Sequence, residues 1–190
     1  QDIDGEATGD RFGHSTSISS DGNTLAVGAI YNDGNGWSAG HVRIYNFNGS
    51  SWNQLGQDID SEHFDDWSGR SVSLSSDGNR VAIGAEGNDN DPLTQGNNGH
   101  GHVRIYDYDG SQWIQYGLDI DGEAMGDYSG WSVSLKNDRV AIGAYRNDGN
   151  GNNSGHARVY SLGGTQYTSP PCSGCTDSMA VNYDPYSLID

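Results

Sequence analysis

The sequence predicts an all-β fold made of three tandem four-stranded antiparallel units, and three observations carry that reading. A segment of about 55–60 residues occurs three times, which is the mark of a repeat architecture. Inside each copy, apolar and polar residues alternate at the period of a strand, between Gly-centred turns. No stretch shows the 3.6-residue period of a helix. The first copy opens QDIDGEATGDRFGHSTSISSDGNTLAVGA and runs on to HVRIYNFNGSSWNQLG. The second opens QDIDSEHFDDWSGRSVSLSSDGNRVAIGA and returns to HVRIYDYDGSQWIQYG, and the third opens LDIDGEAMGDYSGWSVSLKNDRVAIGA and reaches HARVYSLGGTQY. This divides the chain into repeats at residues 1–56, 57–117 and 118–168, followed by a Cys-containing tail at 169–190.

The first strand of each unit is STSIS, SVSLS or SVSLK. It places Ile18, Val72, Leu74, Val133 and Leu135 on one face and serines on the other. Asp21-Gly22 and Asp77-Gly78 follow as hairpin turns, which want positive φ. The second strand, LAVGA or VAIGA, carries small Ala and Gly suited to close sheet-on-sheet approach. In the third, Val42 and Ile44 alternate with His41, Arg43 and Tyr45. Further hairpins at Asn48-Gly49 and Asp109-Gly110 lead to a fourth strand, where Trp52, Trp113 and Tyr167 recur. Four-stranded units repeated this way are blades of the β-propeller type. Such rings close with about four to eight blades, so three blades leave open ends. That predicts apolar faces around Ile18, Val27, Val133 and Ile142 that meet either further blades of the same chain or other copies of it. The alternative is a closed threefold β-trefoil or β-prism.

Phe12-Gly13 before the first strand, and Gly28-Ala29, Gly84-Ala85 and Gly143-Ala144 after the second, resemble the FG-GAP repeats of integrin α-subunit propellers, over about residues 1–168. Ser68 and Ser129 stand in place of the phenylalanine in the other units, and the GA pairs lack the family's proline. The resemblance implies a non-enzymatic binding module. Integrin-type blades carry a DxDxDG calcium loop between their first two strands. Here that place holds SSDGN or KND, so the family's metal site does not carry over. The tail, GCTD followed by NYDP, resembles a module of large secreted proteins of marine microbes and their viruses. That module closes on a second cysteine, and the expectation is a longer product. Cys172 and Cys175 are expected to form a local disulfide or to pair with cysteines elsewhere.

The net charge of -17, with only 9 Lys and Arg, speaks against nucleic acid and anionic lipid as partners. No stretch approaches the length of a membrane helix, so membrane insertion is not expected, and Gln1 opens directly into a repeat, as in a mature or excised chain. The acids recur. Asp2, Asp4 and Glu6 are matched by Asp58, Asp60 and Glu62, and by Asp119, Asp121 and Glu123, with a further acid following at Asp10, at Asp65 and Asp66, and at Asp127. Carboxylates beside a Gly turn can offer calcium its hard oxygens, and they can equally cap turns in an acidic linker. Asp33 and Asp148, in the NDGNG loops after the second strand, are further candidate calcium ligands, and these loops are natural binding sites on a rigid scaffold. His41, His102 and His156 occupy one repeated position, as packing residues do, and Arg43, Arg104 and Arg158 are expected to pair with acids. No GxSxG, HExxH or phosphate-binding glycine loop is present. The sequence therefore points to an extracellular, cell-surface or virion-surface binding or adhesion module with a protein or glycan ligand. The alternative is a structural subunit of a fibre, filament or virion that assembles blade to blade.

Overall fold

Alternation becomes strand wherever the sequence brackets it with turn residues. The computed structural model describes residues 1–89 and 99–163; the strands it contains are all antiparallel neighbours, and no helix occurs among the described residues. The first sheet holds β1 (Phe12–Ile18), β2 (Thr24–Ala29), β3 (His41–Phe47), β4 (Trp52–Gln54) and β5 (Ile59–Asp60). The second holds β6 (Ser71–Leu74), β7 (Arg80–Ala85), β8 (His102–Tyr108), β9 (Trp113–Gln115) and β10 (Ile120–Asp121). The third holds β11 (Ser129–Lys136), β12 (Arg139–Ala144) and β13 (His156–Ser161).

The outer edge of each of the first two sheets is split between two repeats. β4 pairs with the end of β3 through Phe47 and Trp52, while β5 pairs with its beginning, Val42 against Ile59 and His41 against Asp60. β9 and β10 repeat this on β8, with Val103 against Ile120 and His102 against Asp121. The Asp-Ile-Asp segment that opens one repeat thus completes the sheet of the repeat before it. Ile59 and Ile120 are buried there.

The sheets stack in a row. β6 lies between β1 and β11, so the first strand of each sheet is its innermost. Ala26, Val42 and Ile44 of the first sheet share a core with Val72, Leu74 and Ile83 of the second. Val103, Ile105 and Ile120 of the second share another with Leu135, Val140 and Ile142 of the third. Gly28 and Gly84 show why the second strand is rich in small residues: a Cβ at either would collide with the carbonyl oxygen of Gly69 or Gly130 in the next sheet. Among the described residues no pairing joins β1 to β13, so the closed threefold alternative does not form. The open ends differ in one respect from expectation. Val27 and Ile142 are buried, Ile142 in the core shared with the second sheet, and Val133 is half-buried. The apolar residues that meet solvent at the two ends are Ile18 and Val159.

Candidate functional site

The recurring acids converge on recurring arginines. Arg43 on β3 makes a two-pronged bond to Asp58, Nε to Oδ1 at 3.0 Å and Nη2 to Oδ2 at 2.9 Å, and also pairs with Glu6. Arg104 on β8 does the same with Asp119, at 3.0 and 2.9 Å, and with Glu62. Arg158 on β13 pairs with Glu123. The planar guanidinium matches two carboxylates at once, which a Lys ammonium could not do in this geometry. His41 and His102 lie beneath, with Nδ1 3.8 Å from Asp58 and 3.6 Å from Asp119. Burial lowers both histidine pKa values against the pull of those acids. Burial pushes the Asp58 and Asp119 carboxyls up, but the arginine bonds outweigh it and both end below their ordinary value.

Two of these groups, Glu6–His41–Asp58 and Glu62–His102–Asp119, hold three possible ligand atoms within 4.8 Å of one another. In each, the arginine already supplies the positive charge that a metal would bring. The other acids also have local duties. Asp10 accepts from Asn32 Nδ2 at 3.0 Å and Asp127 from Asn147 Nδ2 at 2.7 Å, both buried. Asp33 accepts from the Ser38 N–H at 2.8 Å, and Asp148 from that of Asn153 at 2.6 Å, so each closes its own loop. Asp60 and Asp121 face His41 and His102 across the sheet edge, and burial raises both carboxyls. Asp2 and Asp4 are exposed. Cys172, Cys175, Tyr167 and the middle loop at 90–98 lie outside the described residues. Trp113 is buried in the core, its Nε1 donating to the Leu55 carbonyl at 2.8 Å, while Trp52 is half-buried against Phe47.

The loop after β2 and the segments before β1 and β6 gather at one end of the sheets. Between the first and second sheets, that end opens a cavity of about 530 Å³. Tyr31, Trp37 and Trp67 line it together with Asp10, Asp33 and Asp65. Tyr31 and Trp67 meet edge to face, 6.5 Å between centroids, while Trp37 is 70 % exposed. The walls are stitched by backbone bonds across the sheets: Asp65 N–H to the Trp37 carbonyl at 2.9 Å and Ser68 N–H to that of Ala39 at 2.9 Å. Burial and the neighbouring Asp66 raise the Asp65 carboxyl. No ion pair to Asp10, Asp33 or Asp65 forms among the described residues.

Asp65 sits at φ 60°, where the other repeats place Gly9 at 100° and Gly126 at 90°. A left-handed backbone costs a non-glycine residue roughly 1 kcal/mol. The second repeat accepts that cost to put a carboxylate in the cavity. Trp37 is likewise a departure, since the third repeat has Asn152 there. Sequence reasoning counted Asp65 only among the acids that recur and passed over Trp37 and Trp67; the signal that sets Asp65 and Trp37 apart was their difference from the repeat. A second cavity of similar volume, at the opposite end, is lined by Ser75, Asp77, Arg80 and Asp107. Its polar groups bond to one another, Ser75 to Asp77 at 2.6 Å and Arg80 to Asp107 at 2.6 Å.

No match was found among the curated proteins. Two stretches at the same phase of the first and third repeats, residues 3–45 and 119–160, match the family model of the FG-GAP repeat, so that blade-like sheets and repeat sequence point to one kind of β-propeller-type binding module.

Proposed function

We propose that this chain is a non-enzymatic extracellular binding module, on a cell or virion surface, that holds a glycan in the cavity between its first two sheets. The carrying observation is Asp65, a strained acid standing where the fold would accept glycine, beside an exposed Trp37. Strain kept at one position of a repeat supports a role in binding. Aromatic faces suit the apolar faces of sugar rings, and carboxylates accept bonds from sugar hydroxyls. The backbone stitching of the two walls supports a site formed before the ligand arrives, which lowers the entropy lost on binding. The match to FG-GAP repeats supports binding over catalysis. The test is titration with a panel of soluble oligosaccharides, read by tryptophan fluorescence. At least one sugar should quench or shift the emission saturably, and Trp37→Ala should weaken it about tenfold or more, as loss of a stacking aromatic does. Trp37 is mostly exposed, so that substitution leaves the fold standing. Saturable binding unchanged in Trp37→Ala would move the ligand elsewhere, and no binding across the panel would remove the glycan.

A further inference from the structure

Both internal sheet-to-sheet contacts are built from the same parts. Ser15 Oγ donates to the Gly69 carbonyl at 2.7 Å, and Ser71 Oγ to the Gly130 carbonyl at 2.8 Å. The Leu74 N–H donates to Ser17 Oγ and the Leu135 N–H to Ser73 Oγ, both at 2.9 Å. Ile44 and Ile105 are fully buried on the sides facing onward, and Leu74 and Leu135 are 6 % and 5 % exposed on the sides facing back. An Asp-Ile-Asp strand then closes each outer edge, with its first acid on Arg43 or Arg104.

The third sheet has the onward half of this contact uncovered among the described residues. Ser132 and Ser134, at the places of Ser15 and Ser17, are exposed. Val159, at the place of Ile44 and Ile105, is 43 % exposed. Arg158 has Glu123 but no counterpart of Asp58 or Asp119 among those residues. The first sheet has the returning half uncovered. Ile18, at the place of Leu74, is 57 % exposed, and Asp2-Ile3-Asp4 lies in no sheet.

We propose that these two halves meet between copies: the third sheet of one molecule docks on the first sheet of a second, head to tail. Asp2-Ile3-Asp4 of the second copy adds along β13 of the first, Val42–Ile59 fashion, and its Asp2 takes the open side of Arg158. Ser132 donates to the second copy's Gly13 carbonyl, and Ser134 accepts from its Ile18 N–H. The charges are complementary, the serine register is the one used twice inside the chain, and Ile18 covers Val159. A head-to-tail contact closes a ring when its rotation allows. Two copies bring six sheets, inside the four to eight that close.

Sedimentation equilibrium on the full 190-residue chain at tens of micromolar is the test. The expected mass is twice 20.3 kDa. Asp2→Arg and Arg158→Asp each place like charges at both contacts, and each alone should weaken association by about 100-fold or more. Mixed one to one, the two variants restore opposite charges at both contacts and should recover the doubled mass. Asp2 is exposed, so Asp2→Arg leaves the monomer folded even if Arg158→Asp does not. A wild-type mass of 20.3 kDa would overturn the proposal, as it would if further blades or the tail cover these faces. Association that both variants leave untouched would overturn it equally.

Discussion

Asp65 is where stability and use pull apart. Its φ of 60° is one that the first and third repeats assign to glycine, so Asp65→Gly removes backbone strain and also relieves the repulsion from buried Asp66. Glycine has more freedom to lose on folding, which offsets part of the gain. The net expectation is an unchanged or slightly raised melting temperature, by up to about 1 kcal/mol of stability. Oligosaccharide binding should weaken at the same time. Calorimetric melting and fluorescence titration of one variant check both halves. A plain loss of stability would mean that the carboxylate is structural. The acids that the eye picks first in the sequence have the opposite character. Asp58 and Asp119 belong to arginines, and Asp10 and Asp127 to asparagines, so their repetition records how sheets are held.

Among the elements, the second strands show how a small residue sets the distance between sheets. Gly84 faces the Gly130 carbonyl, and a methyl group there forces the sheets apart, with a cost of about 1–3 kcal/mol for an overpacked contact. Gly143 occupies the same place in the third sheet, yet among the described residues the atoms nearest to a Cβ there all belong to Ser132 of its own sheet, the closest being its hydroxyl oxygen. Gly84→Ala should therefore lower the denaturant midpoint clearly, while Gly143→Ala changes it by no more than about 0.5 kcal/mol at concentrations too low for self-association. Equal effects would show that the glycines answer to something within each sheet. The long strands were legible because alternation and Asp-Gly turns are local signals: STSIS, LAVGA and HVRIY fall in turn on β1, β2 and β3, although β1 begins earlier, at Phe12, and β3 runs on to Phe47. β5 and β10 were not. Ile59-Asp60 and Ile120-Asp121 are two residues each and become strands only through Val42 and Val103 in the preceding repeat. Read alone, DIDGE looks like an acidic linker or a calcium loop. The cavity was half legible: the loops that frame it were expected to bind, but Trp37 and Asp65 stand out only when repeats are laid side by side.

For the molecule as a whole, acid is the informative stress. His41 and His102 are buried with pKa values held below the ordinary 6.5, mainly by burial. As pH falls through 6.5 the unfolded chain takes up these protons and the folded one does not, so stability drops. The slope is at most about 1.4 kcal/mol per pH unit for each histidine. Further down, Asp58 and Asp119, depressed by their arginines, add stability that is present above the ordinary 3.8 and is lost as pH falls through their folded values. Asp60, Asp121 and Glu86, raised by burial, oppose this in the window above the ordinary carboxylate range. His14 and His156 are lowered in the same direction, so melting temperature should fall between pH 7 and pH 5, and His102→Gln should flatten that fall by removing one of these titrations. An identical slope in the variant would clear the histidine. The strand that each repeat lends to the sheet before it has a further bearing, on how such a chain lengthens in evolution. The unit that is copied in the gene runs from one Asp-Ile-Asp to the next, while the unit that folds runs from β1 to β5. Because the two are out of phase by the same strand at both internal junctions, duplicating or deleting a whole copy leaves each internal edge with an acid for its arginine. Blade number can then change in one genetic event without any new contact having to be invented.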